Sequence, residues 1–482
     1  MNKSIIFIII GLLFMLSGCR DFVEIDAPKN ELSTGTVFQN NETANASMLA
    51  IYAQFYVSSS LNPYLISLYN GLSSDELTNN NASLMDIYSN AIVAASTSRA
   101  HEVWKSAYNI IYAANSIYEG CEKSIALDPT LKKQLIGEAL FVRAYWHFYL
   151  VNLYGDIPLV LFTDYKLNKT LLRTPAAQVY TQIIEDLKAA QINLNENYTG
   201  ADGLTTSIER IRPNKAVATA LLARIYLYTG DYLSAERQSS VLIDNGAVYD
   251  LVSLDQVFQK NNKEAIWQIM PTNNPSYNTQ EGFQFTLTDA PANQGKATIS
   301  PQLLQAFENG DSRRNTWVGK YTDLSKIPNV DYYYPAKYHQ LSGTSILEYS
   351  VTLRLAEQYL IRAEARNEQN NRAGAIADLN KLRTRARGRV SIDTPNPLPA
   401  LEISLNKEQV KMAILHERRM ELFTEYAHRW FDLKRTKTVG EVMKLVTPTK
   451  NGQAWETNKQ LWPVPQTEIL NNPKLTQNKG YD

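Results

Sequence analysis

The chain has 482 residues, and its 48 Lys and Arg balance 48 Asp and Glu. Net neutrality argues against a nucleic-acid partner, because gripping phosphates takes a surplus of cations. Hydrophobic residues make up 44% of the chain against only two cysteines, so a core rather than a disulfide framework must hold one large or two ordinary domains together.

Lys3 precedes an almost wholly apolar run from Ile5 to Leu16, and Leu16-Ser17-Gly18-Cys19 follows. The run is too short to span a bilayer, which takes about 20 apolar residues. Residues 1–18 therefore read as a secretory signal. The Leu-Ser-Gly-Cys order matches the bacterial lipobox, so Cys19 is expected to carry lipid as the first residue of the mature chain; an ordinary cleaved signal with an incidental cysteine is the alternative. A lipid anchor leaves the whole mature chain outside the bilayer. Residues 19–40, with Asp21, Glu24, Asp26 and Pro28, read as a tether.

From Glu42 helical spacing dominates, first with Ala50, Ala53 and Tyr56, then over Trp104 to Tyr118 and Lys132 to Tyr154. The stretch from Ala139 to Leu150 is apolar on almost every side, which predicts a central buried helix, ended by Gly155-Asp156-Ile157-Pro158. Cys121 is expected to be a packed free thiol, and His147 a hydrogen-bonded core residue. An internal repeat follows. Leu222, Ala223, Tyr226, Gly230 and Ala235 occupy tetratricopeptide positions, and Tyr359, Ala363, Ala375, Ile376 and Leu379 repeat them, with Asn370-Asn371 in the turn where the first copy has Gly230-Asp231. Weaker copies are expected around Ala107 to Ala114 and Ala139 to Tyr149. The fold class is thus mostly α, a tetratricopeptide-like scaffold over residues 41–248 and 349–440.

Between these halves, residues 249–348 lose helical periodicity and gather Asn, Thr, Pro, Gly and aromatics. Ala265 to Ile269 and Phe283 to Leu287 alternate in period two, which predicts strands. A long irregular insertion on a rigid scaffold is where binding groups tend to sit. Residues 441–482, with Pro463, Pro465 and Pro473 near the end, are expected to wrap over the helices, so that 41–482 is one body.

No catalytic motif stands out. His416-Glu417-Arg418-Arg419-Met420 begins like a zincin but has Met420 at the place of the second histidine. No histidine pair has metal-ligand spacing, and neither a Gly-x-Ser-x-Gly elbow nor a phosphate loop occurs. No metal or cofactor is expected, although scattered loop Asp and Asn could hold calcium without fixed spacing. Asp75-Glu76 and Asp378 read as a loop turn and a solvated helix face. Glu425 and Arg429 fall at i, i+4, worth about 0.2–0.5 kcal/mol if exposed, and the charge-dense stretch from Glu417 to Asp432 reads as structural ion pairing.

Taken in order, these segments resemble the RagB/SusD family of outer-membrane nutrient-binding lipoproteins. The resemblance rests on Arg143-Ala144-Tyr145 through Leu153 to Leu159, Ala223-Arg224-Ile225-Tyr226, Leu353 to Glu357 with Arg362 to Ala365, and Glu417-Arg418-Arg419 with Glu421-Leu422. It continues through Leu461 to Gln466, Asn472-Pro473 and Gln477 to Tyr481. Lys479 and Tyr426-Ala427 depart from the usual Pro and Gly. The resemblance implies a non-catalytic surface lipoprotein, facing outward on the outer membrane, that captures oligosaccharides or peptides for a SusC-like TonB-dependent transporter. A transporter lid without strong ligand binding, or a surface hydrolase, are the alternatives. It also implies an arc of exposed aromatics as the ligand site. Matching regions offer Asn79, Asn80, Asn81 and Tyr88, then Tyr277, Trp317, Tyr321 and Tyr332-Tyr333-Tyr334. Trp317, expected to be exposed after the charged Asp311 to Asn315 turn, is the leading candidate. The tyrosine run comes next, since neighbours in an extended chain cannot all face one core.

Overall fold

Helix starts are written into the sequence by capping side chains. Asn62 accepts from the Leu65 amide ahead of Pro63, Asp128 accepts from Thr130 and Leu131 ahead of Pro129, and Asn406 forms a reciprocal capping box with Gln409. The computed structural model describes residues 34–57, 61–95, 98–271, 278–341 and 345–481; Cys19, the signal and most of the tether fall outside them. Within these residues the longer helices are α1 (Asn41–Val57), α2 (Pro63–Ser73), α3 (Arg99–Lys123), α4 (Pro129–Tyr154), α5 (Ala176–Asn193), α6 (Lys215–Thr229) and α7 (Tyr232–Ile243). After the insertion come α8 (Leu355–Glu368), α9 (Arg372–Ala386), α10 (Lys407–Leu422), α11 (His428–Arg435) and α12 (Val439–Asn451). The last crosses the expected start of the C-terminal wrap.

The fold is mostly α, as expected. Helix α4 is buried without a break from Gln134 to Val151 and packs between α3 and α5. The two repeat copies form the hairpins α6/α7 and α8/α9, and α7 packs on α8. Both turns need a left-handed residue: Gly230 has φ 77° and Asn370 φ 66°, and the following Asp231 and Asn371 cap the next helix. Buried ion pairs bolt neighbouring helices together. Arg143 on α4 grips Asp186 on α5 at 2.6 and 2.7 Å, and Arg224 on α6 grips Glu357 on α8 at 2.6 and 2.7 Å. Asp378 belongs to this set: it is buried against Arg362 and Arg366, not on a solvated face. Cys121 is buried and free, its thiol pushed up to about 12 by burial. His147 is a core residue that stays neutral, pushed down to about 3 chiefly by burial and by the nearby Arg143 charge.

Among the described residues, four antiparallel two-stranded ladders complete the frame: β1 (Leu77–Thr78) with β5 (Thr298–Ile299), β2 (Ile157–Pro158) with β3 (Arg173–Thr174), β4 (Ala265–Ile269) with β8 (Ser350–Arg354), and β6 (Val318–Asp323) with β7 (Val330–Pro335). The β4/β8 ladder staples the two ends of the insertion together. The strand expected at Phe283 to Leu287 is instead a helix, Gln280–Phe285. Thr279 caps it by accepting from the Gly282 amide, and its one turn points Phe285 at Tyr64, with ring centroids 4.9 Å apart. Capping and one apolar contact outweigh a short alternating pattern.

Candidate functional site

Trp317 does not face solvent. It is 0% exposed, its indole N–H donates to the Leu254 carbonyl at 2.9 Å, and its ring packs against Phe258 and Phe423. The reason is the fate of the charges around it. Asp311 and Arg313 are themselves buried, because Arg313 also reaches Glu417 at 2.5 Å and Glu421 at 2.9 Å. Arg354 spends its guanidinium on Glu264, Glu421 and Glu425 at 2.6–2.9 Å. Arg385 pairs with Glu264 and Glu421. Lys337 pairs with Glu425 and points its ammonium at Phe423, 4.0 Å from the ring centroid, and at Trp317, 4.8 Å away. Burial pushes Lys337 down to about 8. For Glu421 the upward push of burial is overcome by Arg385, Arg354 and Arg313, which hold it well below the usual carboxylate range. The charge-dense segment is thus structural, but not through Glu425 and Arg429. Helix α10 ends at Leu422, Thr424, Tyr426 and Ala427 take positive φ, and Arg429 pairs with Asp75 at 2.7 Å.

The tyrosines behave differently. In the β6/β7 hairpin Tyr321 faces Tyr332 and Gly319 faces Tyr334 across the ladder, while Lys320 faces Tyr333. Side chains alternate along each strand, so Tyr321, Tyr332 and Tyr334 share one face and Tyr333 takes the other. All four are partly exposed. Gly319 lets the Tyr334 ring lie on the strand, since a Cβ there would stand 2.3 Å from its Cζ. On the opposite face Arg314 stacks on Tyr333, 4.6 Å from the centroid, and Lys320 pairs with Asp331 at 2.8 Å. The Tyr321 hydroxyl lies 3.5 Å from Asp289, a neighbour that no spacing in the sequence announces. Strand β7 lies alongside β5.

Asn79, Asn80 and Asn81 are spent on the protein. Asn79 brackets the amide and carbonyl of Asn81, Asn80 donates to the Lys296 carbonyl at 3.0 Å, and Asn81 caps a turn at Ser83. Tyr88 lines a separate cavity of about 200 Å³ with Thr78, Asp75 and Lys450. Lys450 lies 4.9 Å from the Tyr88 ring centroid and donates to the Leu72 and Ser73 carbonyls; burial pulls it down to about 7. Nearby Glu76 is buried, its Oε1 without a hydrogen-bond partner among the described residues, and is pushed up to about 7, chiefly by burial. Asp75-Glu76 is therefore not an open loop turn: Asp75 is locked by Arg419 and Arg429. Tyr277 lies outside the described residues. Among those described, no group of His, Cys, Asp and Glu is arranged to hold a metal, and no helix is long and apolar enough to cross a membrane.

An α-repeat scaffold carrying a stapled insertion and an aromatic hairpin matches known proteins over nearly its whole length. The SusD family model matches residues 272–481, and a second model, described as starch-binding and associating with the outer membrane, matches residues 21–227. The chain belongs to the RagB/SusD family. Among its relatives, SusD-like protein P2 of Formosa agariphila is 28% identical over 78% of this chain and 80% of its own length. A SusD superfamily structure from Bacteroides thetaiotaomicron superposes with a TM-score of 0.76 at 21% identity, over 91% of this chain and 99% of that one. A laminarin-binding SusD-like protein superposes with a TM-score of 0.72 at 22% identity, over 92% of this chain and 100% of that one. These superpositions establish the SusD-like fold.

Proposed function

We propose that this SusD-like protein captures oligosaccharides at the cell surface, without catalysis, on the hairpin face formed by Tyr321, Tyr332 and Tyr334. Anchored by lipid on Cys19 at the outer membrane and facing outward, it would hand its cargo to a SusC-like TonB-dependent transporter. The observation that carries the reading is the sharing of one accessible face by three tyrosines on a two-stranded ribbon. Flat rings with polar tips suit the C–H faces and hydroxyls of sugars. The family's starch-binding description and the laminarin-binding relative support a glycan over a peptide.

Isothermal titration of the chain starting after Cys19, against starch, laminarin and peptide panels, tests this. Saturable binding to one glycan class is expected, weakened about tenfold by Tyr332→Ala with no change in melting temperature. Binding that Tyr332→Ala leaves intact would move the site elsewhere. Silence across the panel would favour a transporter lid, a second reading supported by the commitment of Asn79, Asn80 and Asn81 to internal hydrogen bonds. New reducing ends released from any glycan would replace capture with hydrolysis.

A further inference from the structure

Two carboxylates flank the tyrosine face of the hairpin. Asp323 stands opposite Val330, two residues beyond Tyr321, so the alternation of side chains puts it on the same side of the ribbon as Tyr321, Tyr332 and Tyr334. Asp289 arrives from outside the ribbon, on the segment between the Gln280–Phe285 helix and β5. It is exposed, and its Oδ1 lies 3.5 Å from the Tyr321 hydroxyl. Neutral donors fix its orientation: the Ala290 amide reaches Oδ1 at 2.7 Å and the Asn293 side-chain amide reaches Oδ2 at 3.1 Å. A carboxylate offers about four acceptor positions, so these contacts and the long one from Tyr321 leave Asp289 able to accept again.

The cations nearby are committed elsewhere. Lys320 and Arg314 lie on the opposite face of the ribbon, one paired with Asp331 and the other stacked on Tyr333. Lys296, on the same segment as Asp289, donates to the Phe283 and Thr286 carbonyls, both at 2.8 Å. Lys326, in the hairpin turn, sets its charge against that of Asp323. Asp289 is thereby left as the uncompensated charge of the platform among the described residues. Its sign is felt at the ring tips, where desolvation and then the charges of Asp289 and Asp323 hold the Tyr321 hydroxyl above its ordinary value.

A sugar stacked on these rings presents its hydroxyls at the rim, where a carboxylate accepts from them in charge-assisted hydrogen bonds. A sulfate or a uronate in the same place sets like charge against like, and a repulsive element of that kind is what turns affinity into specificity. We infer that the platform takes uncharged oligosaccharides and rejects acidic ones, with Asp289 as the residue that discriminates. The inference rests on the tyrosine face being the capture site.

Isothermal titration of the chain starting after Cys19 with laminarihexaose and maltohexaose, each beside its 6-O-sulfated counterpart, tests it. A neutral sugar that saturates should bind about fivefold tighter than its sulfated form at low salt, the effect of one nearby like charge at a wet surface. Raising the salt should narrow the gap by strengthening the sulfated form alone. Asp289→Asn, which keeps the side chain's size and an acceptor oxygen, should bring the two affinities together. Equal affinity of the two forms, tighter binding of the sulfated one, or a gap indifferent to salt and to Asp289→Asn would overturn the inference and leave glycan capture standing. Silence toward both neutral sugars, or binding indifferent to Tyr332→Ala, would instead overturn capture on this face and the inference with it. The salt series on the unmodified chain decides the matter even if Asp289→Asn fails to fold.

Discussion

Trp317 and Tyr321 are four residues apart, yet one is sealed in the protein and the other stands on an open ribbon. Both lie among charges, so charge beside an aromatic is no guide to exposure. What separates them is where the charges find partners. Around Trp317 they pair with distant segments: Arg313 with Glu417 and Glu421, Arg354 with Glu264, Glu421 and Glu425. Such pairs survive burial because each guanidinium is satisfied by several oxygens. In the hairpin, Lys320 and Asp331 pair diagonally on one face, two rungs apart, at the surface, and nothing draws the tyrosines inward.

Removing one member of the closed cluster should have the largest effect on the molecule. Arg354→Met leaves Glu264, Glu421 and Glu425 short of a cation in the interior, and a loss of about 3–5 kcal/mol is expected, read as a fall in the urea midpoint. A midpoint within error of wild type would mean the cluster is not a structural bolt. Trp317→Ala comes next. It empties a fully buried site, which costs about 3–5 kcal/mol in a core that cannot collapse, while glycan affinity of the folded fraction should be unchanged. Loss of affinity without loss of stability would reverse the contrast drawn between the two regions.

That contrast also marks how far the sequence could be read. The repeat hairpins, the buried α4, the left-handed turns at Gly230 and Asn370 and the strand at Ala265 to Ile269 were legible, because each is decided by neighbours within a few residues. The distant partners of Arg313, Arg354 and Asp75 were not, since they lie 67 to 354 residues away. With them went the environment of Trp317 and the apparent pairing of Glu425 with Arg429, which three positive-φ residues interrupt or adjoin. Within the hairpin the alternation of Tyr332, Tyr333 and Tyr334 could be anticipated, but the register that adds Tyr321 to their face, and the nearness of Asp289, required the fold.

Acid and base should act oppositely on two buried carboxylates. Glu281, which accepts from the Ser350 hydroxyl at 2.8 Å, is pushed from 4.5 up to about 7, chiefly by burial. The folded protein therefore binds this proton more tightly than the unfolded chain does. Its contribution is full below 4.5 and is lost as pH rises to about 7. Glu421, held low in the arginine cluster, contributes above 4.5 and loses that contribution as pH falls toward its folded value. Urea midpoints across this range should show Glu281→Gln gaining on wild type as pH rises, and the deficit of Glu421→Gln shrinking as pH falls. Differences from wild type that stay flat with pH would remove both carboxylates from the account.

The smallest effect expected is also the most selective for the open region. Gly319→Ala adds one methyl where the Tyr334 ring now lies on the strand, at a contact distance of 2.3 Å that no real Cβ sustains. The atoms met are the far end of a flexible side chain, and Gly319 is not among the residues with positive φ. The backbone need not strain; the ring swings off its seat instead. Melting temperature should therefore hold while glycan affinity falls about threefold, a fraction of a tenfold step in binding, because one of three stacked faces has lost its alignment with Tyr321 and Tyr332. Tyr334→Phe, which keeps the flat ring and removes only the hydroxyl, separates stacking from hydrogen bonding. If Gly319→Ala weakens binding and Tyr334→Phe does not, the ring face carries the contact; if both leave affinity untouched, Tyr334 lies outside the platform and Tyr321 with Tyr332 must form it alone.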